Sequence, residues 1–328
     1  MLAPGLSMLW EDADPTHALP ARFGLADLPA ATSWLTAVLA EDWGLRIFGC
    51  DRWVISATNA IAWVTSDDGP LVVKVAADEP TFERLAAIAT LLGDLDAPGL
   101  PVAAPLPARS SARRVVRRSD RALSVAVLPL VEGAHLDVAD LAAVRATGTL
   151  VARLHLALAE VDPAPFGPGR LDRLTPDEHR RAAWLHGLPA GRAPRAHARL
   201  TDLLTTLPPP APPRQLVHGD VRGANVLVRD GRVAALLDFD ELGLGSPTAE
   251  LATAAVLLAT QFRRWPPAPP AAQHALLAGY EDVLPLDDAE RGWWTATRLR
   301  VGLGQIPTGA DPHGWADAVD AWADDPAG

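Results

Sequence analysis

Apolar positions along the chain change their period twice. Between Pro29 and Asp42, Ala31, Leu35, Val38 and Leu39 recur at helical spacing and predict one short N-terminal helix. The period then shortens. Arg52–Ser56, Ile61–Thr65 and Leu71–Val75 are short runs rich in β-branched residues and Trp, and they predict strands. Ser66-Asp67-Asp68-Gly69 separates the second run from the third, and Asp-Gly at such a junction predicts a hairpin turn. Pro80–Leu92 reads as a helix with Pro in its first turn, where a missing N–H costs little. Arg113–Arg118 and Leu123–Leu128 complete a small antiparallel sheet.

From Gly133 the pattern is mainly helical. Asp137–Glu160 predicts a long amphipathic helix with Asp137 as its N-cap. Helical stretches over 177–188 and 195–206 lead to Pro208-Pro209-Pro210-Ala211-Pro212-Pro213, which reads as a stiff connector rather than a ligand for a partner's groove. Gln215–Val217, Asn225–Arg229 and Arg232–Leu237 predict short strands, with Asp230-Gly231 as a second hairpin turn, and helix resumes near Thr248. The layout is an N-terminal helical extension over 1–50, a β-rich lobe over 51–130 and a larger helical lobe over 131–328.

Composition removes several classes. A chain of 328 residues that is 49% apolar can bury a core, which excludes global disorder. The net charge of −11 argues against nucleic acid as a partner, because that affinity comes from cations on phosphates. The lone Cys50 excludes a disulfide framework and any multi-thiolate metal site. The longest apolar run, Leu251–Ala259, contains Thr253 and is too short for a bilayer. Met1–Pro15 carries acids and no leading cation, unlike a secretory signal. The expectation is a cytoplasmic protein with no membrane partner, monomeric or homodimeric. The cations are 28 Arg and a single Lys, a ratio that reads as genomic bias. Lys74 is the exception, and it marks a position where a compact ammonium serves better than a planar fork.

Chemistry concentrates in LVHGDVRGANVL, Leu216–Leu227, and LLDFDE, Leu236–Glu241. A strand delivers His218-Gly219-Asp220 into a loop, Asn225 returns the chain to a strand, and Asp238 follows a third apolar run. Oxygen-bearing side chains thus meet where strands end, which suits Mg²⁺ beside a phosphate chain. Asp220, one loop away from the Asn225–Asp238 pair, is placed to accept a hydroxyl proton.

At these residues the sequence resembles the aminoglycoside phosphotransferase family of the protein-kinase-like fold. Its HGDxxxxN loop is matched by His218, Gly219, Asp220 and Asn225, and Asp238 corresponds to the D-F-G aspartate of kinases. The resemblance runs from about Asp51 to Leu257 and implies an α+β, bilobal fold, with a small antiparallel-sheet N-lobe and a mainly helical C-lobe. It implies Asp220 as catalytic base, Asn225 and Asp238 as Mg²⁺ ligands, and Asp240 as support for a second metal; Arg222, at a position that varies in the family, is placed two residues past the base to stabilise the transferring phosphoryl group. Lys74 would contact the α- and β-phosphates, with Glu83 as its natural partner and Glu79 as the alternative. The glycine-free hairpin Ser56-Ala57-Thr58-Asn59-Ala60 would cover the phosphates through backbone N–H groups and side chains of Ser56, Thr58 and Asn59. Leu128 and Leu130, in the hinge run Val127–Gly133, would bind adenine, and Arg153-Leu154-His155 matches the end of the family's long helix. Glu250 stands where the family commonly has an Asp that braces the catalytic loop.

The implied activity is transfer of the γ-phosphate of ATP, or of GTP as the alternative, to a hydroxyl of a small molecule. The acidic total suits a cationic acceptor such as an aminoglycoside. Related families on this fold serve choline, homoserine, methylthioribose and fructosamines. A protein kinase and a catalytically silent nucleotide sensor are the other readings, and the first is disfavoured by the short interval between Asp238 and Glu250 and the missing A-P-E motif. Four features take plainer readings. His218 is a structural hydrogen-bonding residue, and the arginines at 109, 113, 114, 117, 118 and 121 are a solvated edge. The C-terminal Trp residues are core, and the acidic stretch 311–328 is a solvated tail or the wall of a cationic pocket.

Overall fold

A computed structural model of the chain describes residues 5–96, 99–171, 185, 187–209 and 215–325, so the expected helix over 177–188 and most of the proline tract lie outside the described residues. Contacts divide the chain into two units, Met1–Val131 and Glu132–Gly328.

The first unit is built on a six-stranded sheet. Its elements are β1 (Gly5–Met8), α1 (Pro15–Phe23), α2 (Leu28–Val38), β2 (Ile47–Ile55), β3 (Asn59–Ser66), β4 (Gly69–Ala76), α3 (Phe82–Asp96), β5 (Val115–Arg118) and β6 (Leu123–Pro129). The spatial order is β1-β2-β3-β4-β6-β5. Five strands pair antiparallel as expected, and β1 adds a parallel edge against β2. Alternation decides which face is core. Ala60, Ala62 and Val64 of β3 and Val73 and Val75 of β4 are buried in one cluster with Leu19 and Phe23 of α1 and Leu35 and Val38 of α2.

Two expectations change here. Residues before Ile47 form a strand and two helices rather than one helix, and their side chains complete the sheet's core. Pro15 opens α1 behind the Asp14 cap, and Pro20 is carried inside it. The basic cluster is also more than a solvated edge. Arg118 pairs with Glu41 at 3.1 Å and Asp42 at 3.0 Å, and Arg121 donates to the Gly24 carbonyl at 2.6 Å. These arginines tie the β5–β6 edge to the N-terminal helices.

The second unit begins with a two-residue strand, β7 (Ala134–His135), and the long α4 (Leu141–Ala159). Its N-cap is Asp140, which accepts from Ala143 N, and not Asp137, which instead accepts from Ala139 N. There follow α5 (Pro194–Thr206), β8 (Gln215–Val217), β9 (Val226–Arg229), β10 (Arg232–Leu236), β11 (Gly243–Gly245), α6 (Pro247–Leu257), α7 (Pro270–Glu281), α8 (Asp288–Gln305) and α9 (Trp315–Ala321). By length and composition α4 could cross a bilayer, a match that uninterrupted apolar runs did not reveal. Here it is a core helix, with His155, Leu154, Val151 and Val144 buried in protein.

α4 and α7 cross backbone to backbone. A Cβ on Gly148 would run into the Leu276 carbonyl, and one on Gly279 would run into the Arg145 carbonyl. Neither neighbour is a flexible side chain. Gly279→Ala is therefore expected to cost about 1–3 kcal/mol, as overpacking does. Urea unfolding should show a lower midpoint at unchanged slope.

The Trp residues of the C-terminal region are core, as expected: Trp293, Trp294, Trp315 and Trp322 are all buried. The acidic stretch is neither tail nor pocket wall over its described part. Asp311 caps Trp315 and Ala316, Asp320 pairs with Arg195 at 2.9 Å, and Asp325 pairs with the fully buried Arg298 at 2.7 Å. Arg298 also lies over the Trp294 ring and donates to Gln273 Oε1. Burial pushes the Arg298 guanidinium down, while Asp325 pulls it back up.

Candidate functional site

β8 ends at Val217 and releases His218-Gly219-Asp220. The His218 imidazole donates from Nε2 to the Leu237 carbonyl at 2.9 Å and accepts the Asp220 N–H at Nδ1. Both ring nitrogens are thereby occupied, so His218 shapes the loop and is not a base. Gly219 has φ of 88°, and a Cβ there would strike the backbone of Glu241. Only glycine permits the turn.

The Asp220 carboxylate is held from two sides. Its Oδ2 accepts from Arg222 Nε at 3.0 Å and Asn225 Nδ2 at 2.9 Å. Its Oδ1 lies 3.6 Å from Arg170. Asn225 Nδ2 also donates to the Asp220 carbonyl at 2.8 Å. With its NH₂ committed to Asp220, the amide oxygen of Asn225 is the atom left for a cation. Arg222 in turn sits 5.5 Å from the Trp265 ring centroid, a cation–π contact.

The Asp238 turn is next to this loop. Leu237 N donates to the Asn225 carbonyl at 2.8 Å, and Phe239 is buried with its ring 4.3 Å from that of His218. Asp238 adopts φ 60° and ψ 68°, a left-handed conformation costly for a non-glycine residue and found at functional sites. The buried Phe239 leaves Asp238 exposed and Asp240 half-buried on either side. Among the described residues no group of three His, Cys, Asp or Glu side chains forms a metal site. The oxygen donors of Asn225 and Asp238 nevertheless fit Mg²⁺, which takes few protein ligands and completes its shell with phosphates and water.

Glu250, on α6, braces the loop from beneath. It is fully buried and accepts from His218 N at 3.1 Å, Gly219 N at 2.5 Å and His155 Nε2 at 2.7 Å. Burial alone would raise its carboxyl pKa, but the hydrogen bond and charge of His155 and the Gly219 N–H bring it below the ordinary glutamate value. Tyr280 hydroxyl closes the chain on His155 Nδ1 at 2.9 Å, and burial followed by the Glu250 charge pushes its own pKa up. Thus α4, α6 and α7 converge on two backbone N–H groups beside Asp220.

In the first unit, Lys74 lies on the sheet face opposite to the core, beside Ile61 and Ala126 in register. Leu128 pairs with Val72 on the same face, and Leu130 is partly exposed, its N–H directed at the Pro70 carbonyl. Ser56 and Asn59 close a tight hairpin tip, with Ser56 N donating to the Asn59 carbonyl at 2.7 Å and Asn59 N to Ser56 Oγ at 3.2 Å. The Thr58 carbonyl accepts from Ala77 N at 3.0 Å. Glu83 goes elsewhere: its side chain is 86% exposed and pairs with Arg117 at 2.5 Å. It sits in the first turn of α3, where the helix phase points it to solvent.

Sequence reasoning missed three residues of these surroundings. Arg22 donates to the Ser56 carbonyl at 2.8 Å and pairs with Glu11, so α1 holds the hairpin tip from behind. Trp265 supports Arg222 from a proline-flanked loop. Arg170 follows Gly167-Pro168-Gly169, a segment that fastens to β11 through Gly169 N to Leu244 O at 3.0 Å and Leu244 N to Gly167 O at 3.1 Å. The Gly-Pro-Gly triplet before a lone Arg was the only available signal.

Solved structures share this architecture. The chain is similar to the apoenzyme of macrolide 2′-phosphotransferase MphH from Brachybacterium faecium, at 23% identity over 90% of this chain and 98% of that one, with a TM-score of 0.56. It is similar to amicoumacin kinase hAmiN in complex with AMP-PNP, Ca²⁺ and Ami, at 14% identity over 94% of each chain and a TM-score of 0.59. A microcompartment-associated aminopropanol kinase matches at 20% identity over 89% of this chain and 94% of that one, with a TM-score of 0.53. Among curated proteins, none matches the chain. The profile of the APH phosphotransferase enzyme family covers residues 55–293, from the end of β2 through the His218–Asn225 loop into α8. With an HGDxxxxN loop folded around Asp220 inside that span, the chain belongs to the phosphotransferase enzyme family.

Proposed function

We propose that this chain transfers the γ-phosphoryl group of ATP to a hydroxyl of a small molecule, with Asp220 as the general base. The observation that carries the reading is the pair of contacts on Asp220 Oδ2: a guanidinium and an amide, 3.0 and 2.9 Å away, fix a carboxylate at the head of a strand-end loop. A carboxylate so held can take the acceptor's proton as its oxygen attacks phosphorus. Arg222, steadied by Trp265, offers its remaining N–H groups to the oxygens of the transferring group.

Asn225 and Asp238 would hold Mg²⁺, with Asp240 as support, and the ion when bound supplies charge neutralisation along the phosphate chain. Lys74 would bind the α- and β-phosphates, the Ser56–Asn59 tip would cover them, and the backbone around Leu128 and Leu130 would take the adenine. Solved relatives in complex with AMP-PNP or ADP support ATP over GTP as the donor. Glu83 has no part in this reading. The acceptors named for the similar structures are macrolides, amicoumacin and aminopropanol, so transfer to a small-molecule hydroxyl is the common chemistry.

ADP release coupled to an acceptor panel, with phosphorus NMR of the product, tests the proposal. The expected result is acceptor-dependent ADP formation and a new phosphate ester; phosphate on a lysate protein with none on small molecules would sink it. Lys74→Arg keeps the charge but replaces a compact ammonium with a planar fork. Its expected effect is a loss of about 10²-fold or more in kcat/KM for ATP, on the scale of removing one positioned charge donor. Wild-type kinetics for that variant would remove Lys74 from the site.

A further inference from the structure

We infer that the acceptor is a hydroxyl compound with an apolar ring attached, and that Phe262, on the turn after α6, selects it. The inference rests on the proposed role of Asp220 as base. The turn belongs to the surroundings of that base. Gly223 N donates to the Leu258 carbonyl at 2.9 Å, and a Cβ on Gly223 would strike that carbonyl. The catalytic loop and the end of α6 therefore meet backbone to backbone. Farther along, the Trp265 ring centroid lies 5.5 Å from the Arg222 guanidinium, whose Nε holds Asp220 Oδ2 at 3.0 Å. A single side chain thus separates Trp265 from the base, and Phe262 stands just before Trp265 on the same turn.

Several anchors fix what this turn presents. Gln261 and Arg264 close it with two backbone hydrogen bonds of 2.7 and 2.6 Å. Gln261 Nε2 donates to the Leu136 carbonyl at 3.1 Å, Trp265 Nε1 to Gln305 Oε1 at 2.9 Å, and Trp315 Nε1 to the Trp265 carbonyl at 2.7 Å. So held, Phe262 takes φ of 40°. That is a left-handed conformation which a bulky residue rarely adopts and which persists only where the surroundings impose it. Its ring meets that of His135 edge-on at 5.2 Å, yet Phe262 stays 36% exposed. The same unit buries Trp293, Trp294, Trp315 and Trp322. An unburied ring on a strained, firmly anchored turn is a presented surface.

This surface suits the body of a substrate rather than its reacting group. Ligand sites are lined mainly by apolar and aromatic side chains, with a few placed polar groups to orient the ligand. Phe262 and the half-buried Trp265 supply the first kind, and Arg222 and Asp220 supply the second. A ring packed on Phe262 removes apolar surface from water on both partners, and two rings gain further from an offset or edge-on arrangement. A polycation gains little from the turn itself. The sequence has no Asp or Glu between Glu250 and Glu281, and Arg263 and Arg264 are both exposed.

The test uses the full chain with MgATP and four acceptors. 1-Amino-2-propanol, 2-amino-1-phenylethanol and 2-amino-1-cyclohexylethanol share one amino alcohol and differ in a methyl, phenyl or cyclohexyl group; kanamycin adds polar rings with many amines. At least one apolar-ring compound should come first, by about tenfold or more in kcat/KM over the methyl compound and kanamycin, the scale of apolar discrimination in a binding site. Phe262→Gly removes the ring and relieves the left-handed backbone, so the turn keeps its shape. In that variant the ring-to-methyl ratio should fall to about threefold or less, through KM for the ring compound, while KM for ATP holds. Phe262→Tyr should keep the ratio. A purely structural role would lower all acceptors together, and a ratio that survives Phe262→Gly overturns the assignment. Calorimetry of MgATP binding separates the two readings. A chain that fails to bind MgATP sinks the phosphotransferase reading itself. A chain that binds it yet prefers kanamycin or the methyl compound, or uses neither apolar-ring compound, overturns the acceptor inference alone.

Discussion

Asp220→Asn is expected to lower kcat by about 10²–10⁴-fold, the range that a general base contributes. The amide oxygen of Asn can still accept from Arg222 Nε and Asn225 Nδ2, which hold the carboxylate at 3.0 and 2.9 Å. The loop geometry should therefore survive while the proton acceptor is lost. Nucleotide affinity, measured by calorimetry with MgAMP-PNP, should change by no more than about threefold, since no bond to a substrate hydroxyl is needed to bind a nucleotide. Turnover near the wild-type rate would remove Asp220 from the role of base. A parallel loss of nucleotide binding would instead reveal a folding defect in the loop.

The second large effect concerns stability. Glu250→Ala removes the acceptor of His155 Nε2, His218 N and Gly219 N in one step. Breaking a buried charged pair while leaving its partners in place costs about 3–5 kcal/mol, and thermal unfolding would read this directly as a lower Tm. The pH dependence has a definite sign. The Glu250 carboxyl lies below the ordinary value of 4.5 in the folded chain. Its contribution is therefore full above that unfolded-state value and is lost as pH falls through the lower folded one. Glu250→Gln should flatten the acid limb of a stability-against-pH curve below about pH 4.5, with little change in its slope near neutrality. An unaltered acid limb would show that the brace carries no net electrostatic stabilisation.

The parts of the site that could be read from sequence are those whose geometry is local. His218, Asp220 and Asn225 are brought together within one loop by Gly219, and the buried Phe239 fixes Asp238 and Asp240 in the same way. Lys74 could be placed because a strand's alternation fixes which face it shares with its neighbours. What escaped depends on distant chain. Arg170 reaches Asp220 only because Gly169 lets its loop lie against β11, and no periodicity in the intervening sequence encodes that contact. Glu83 was assigned by its chemistry, but one helical step decides whether an acid faces a sheet or water, and it faces Arg117 in solvent. The N-terminal strand and α1 hid behind two prolines and a run of only four residues. Net charge was the weakest guide: an acidic total of −11 coexists with two guanidinium groups on the one carboxylate that matters most.

Arg298 sets an order in time as well as a structure. Its guanidinium is fully buried, and the carboxylate that balances it, Asp325, lies at the far end of the described chain. During synthesis the sheet of the first unit has all its strands once Pro129 has emerged, and it can close around its own core. The helical unit cannot. Until Asp325 leaves the ribosome, Arg298 has to remain hydrated, which keeps its guanidinium from settling over the rings of Trp294 and Trp322. Ribosome-bound chains of this protein would accordingly carry a finished β-rich half and a helical half still open to chaperones.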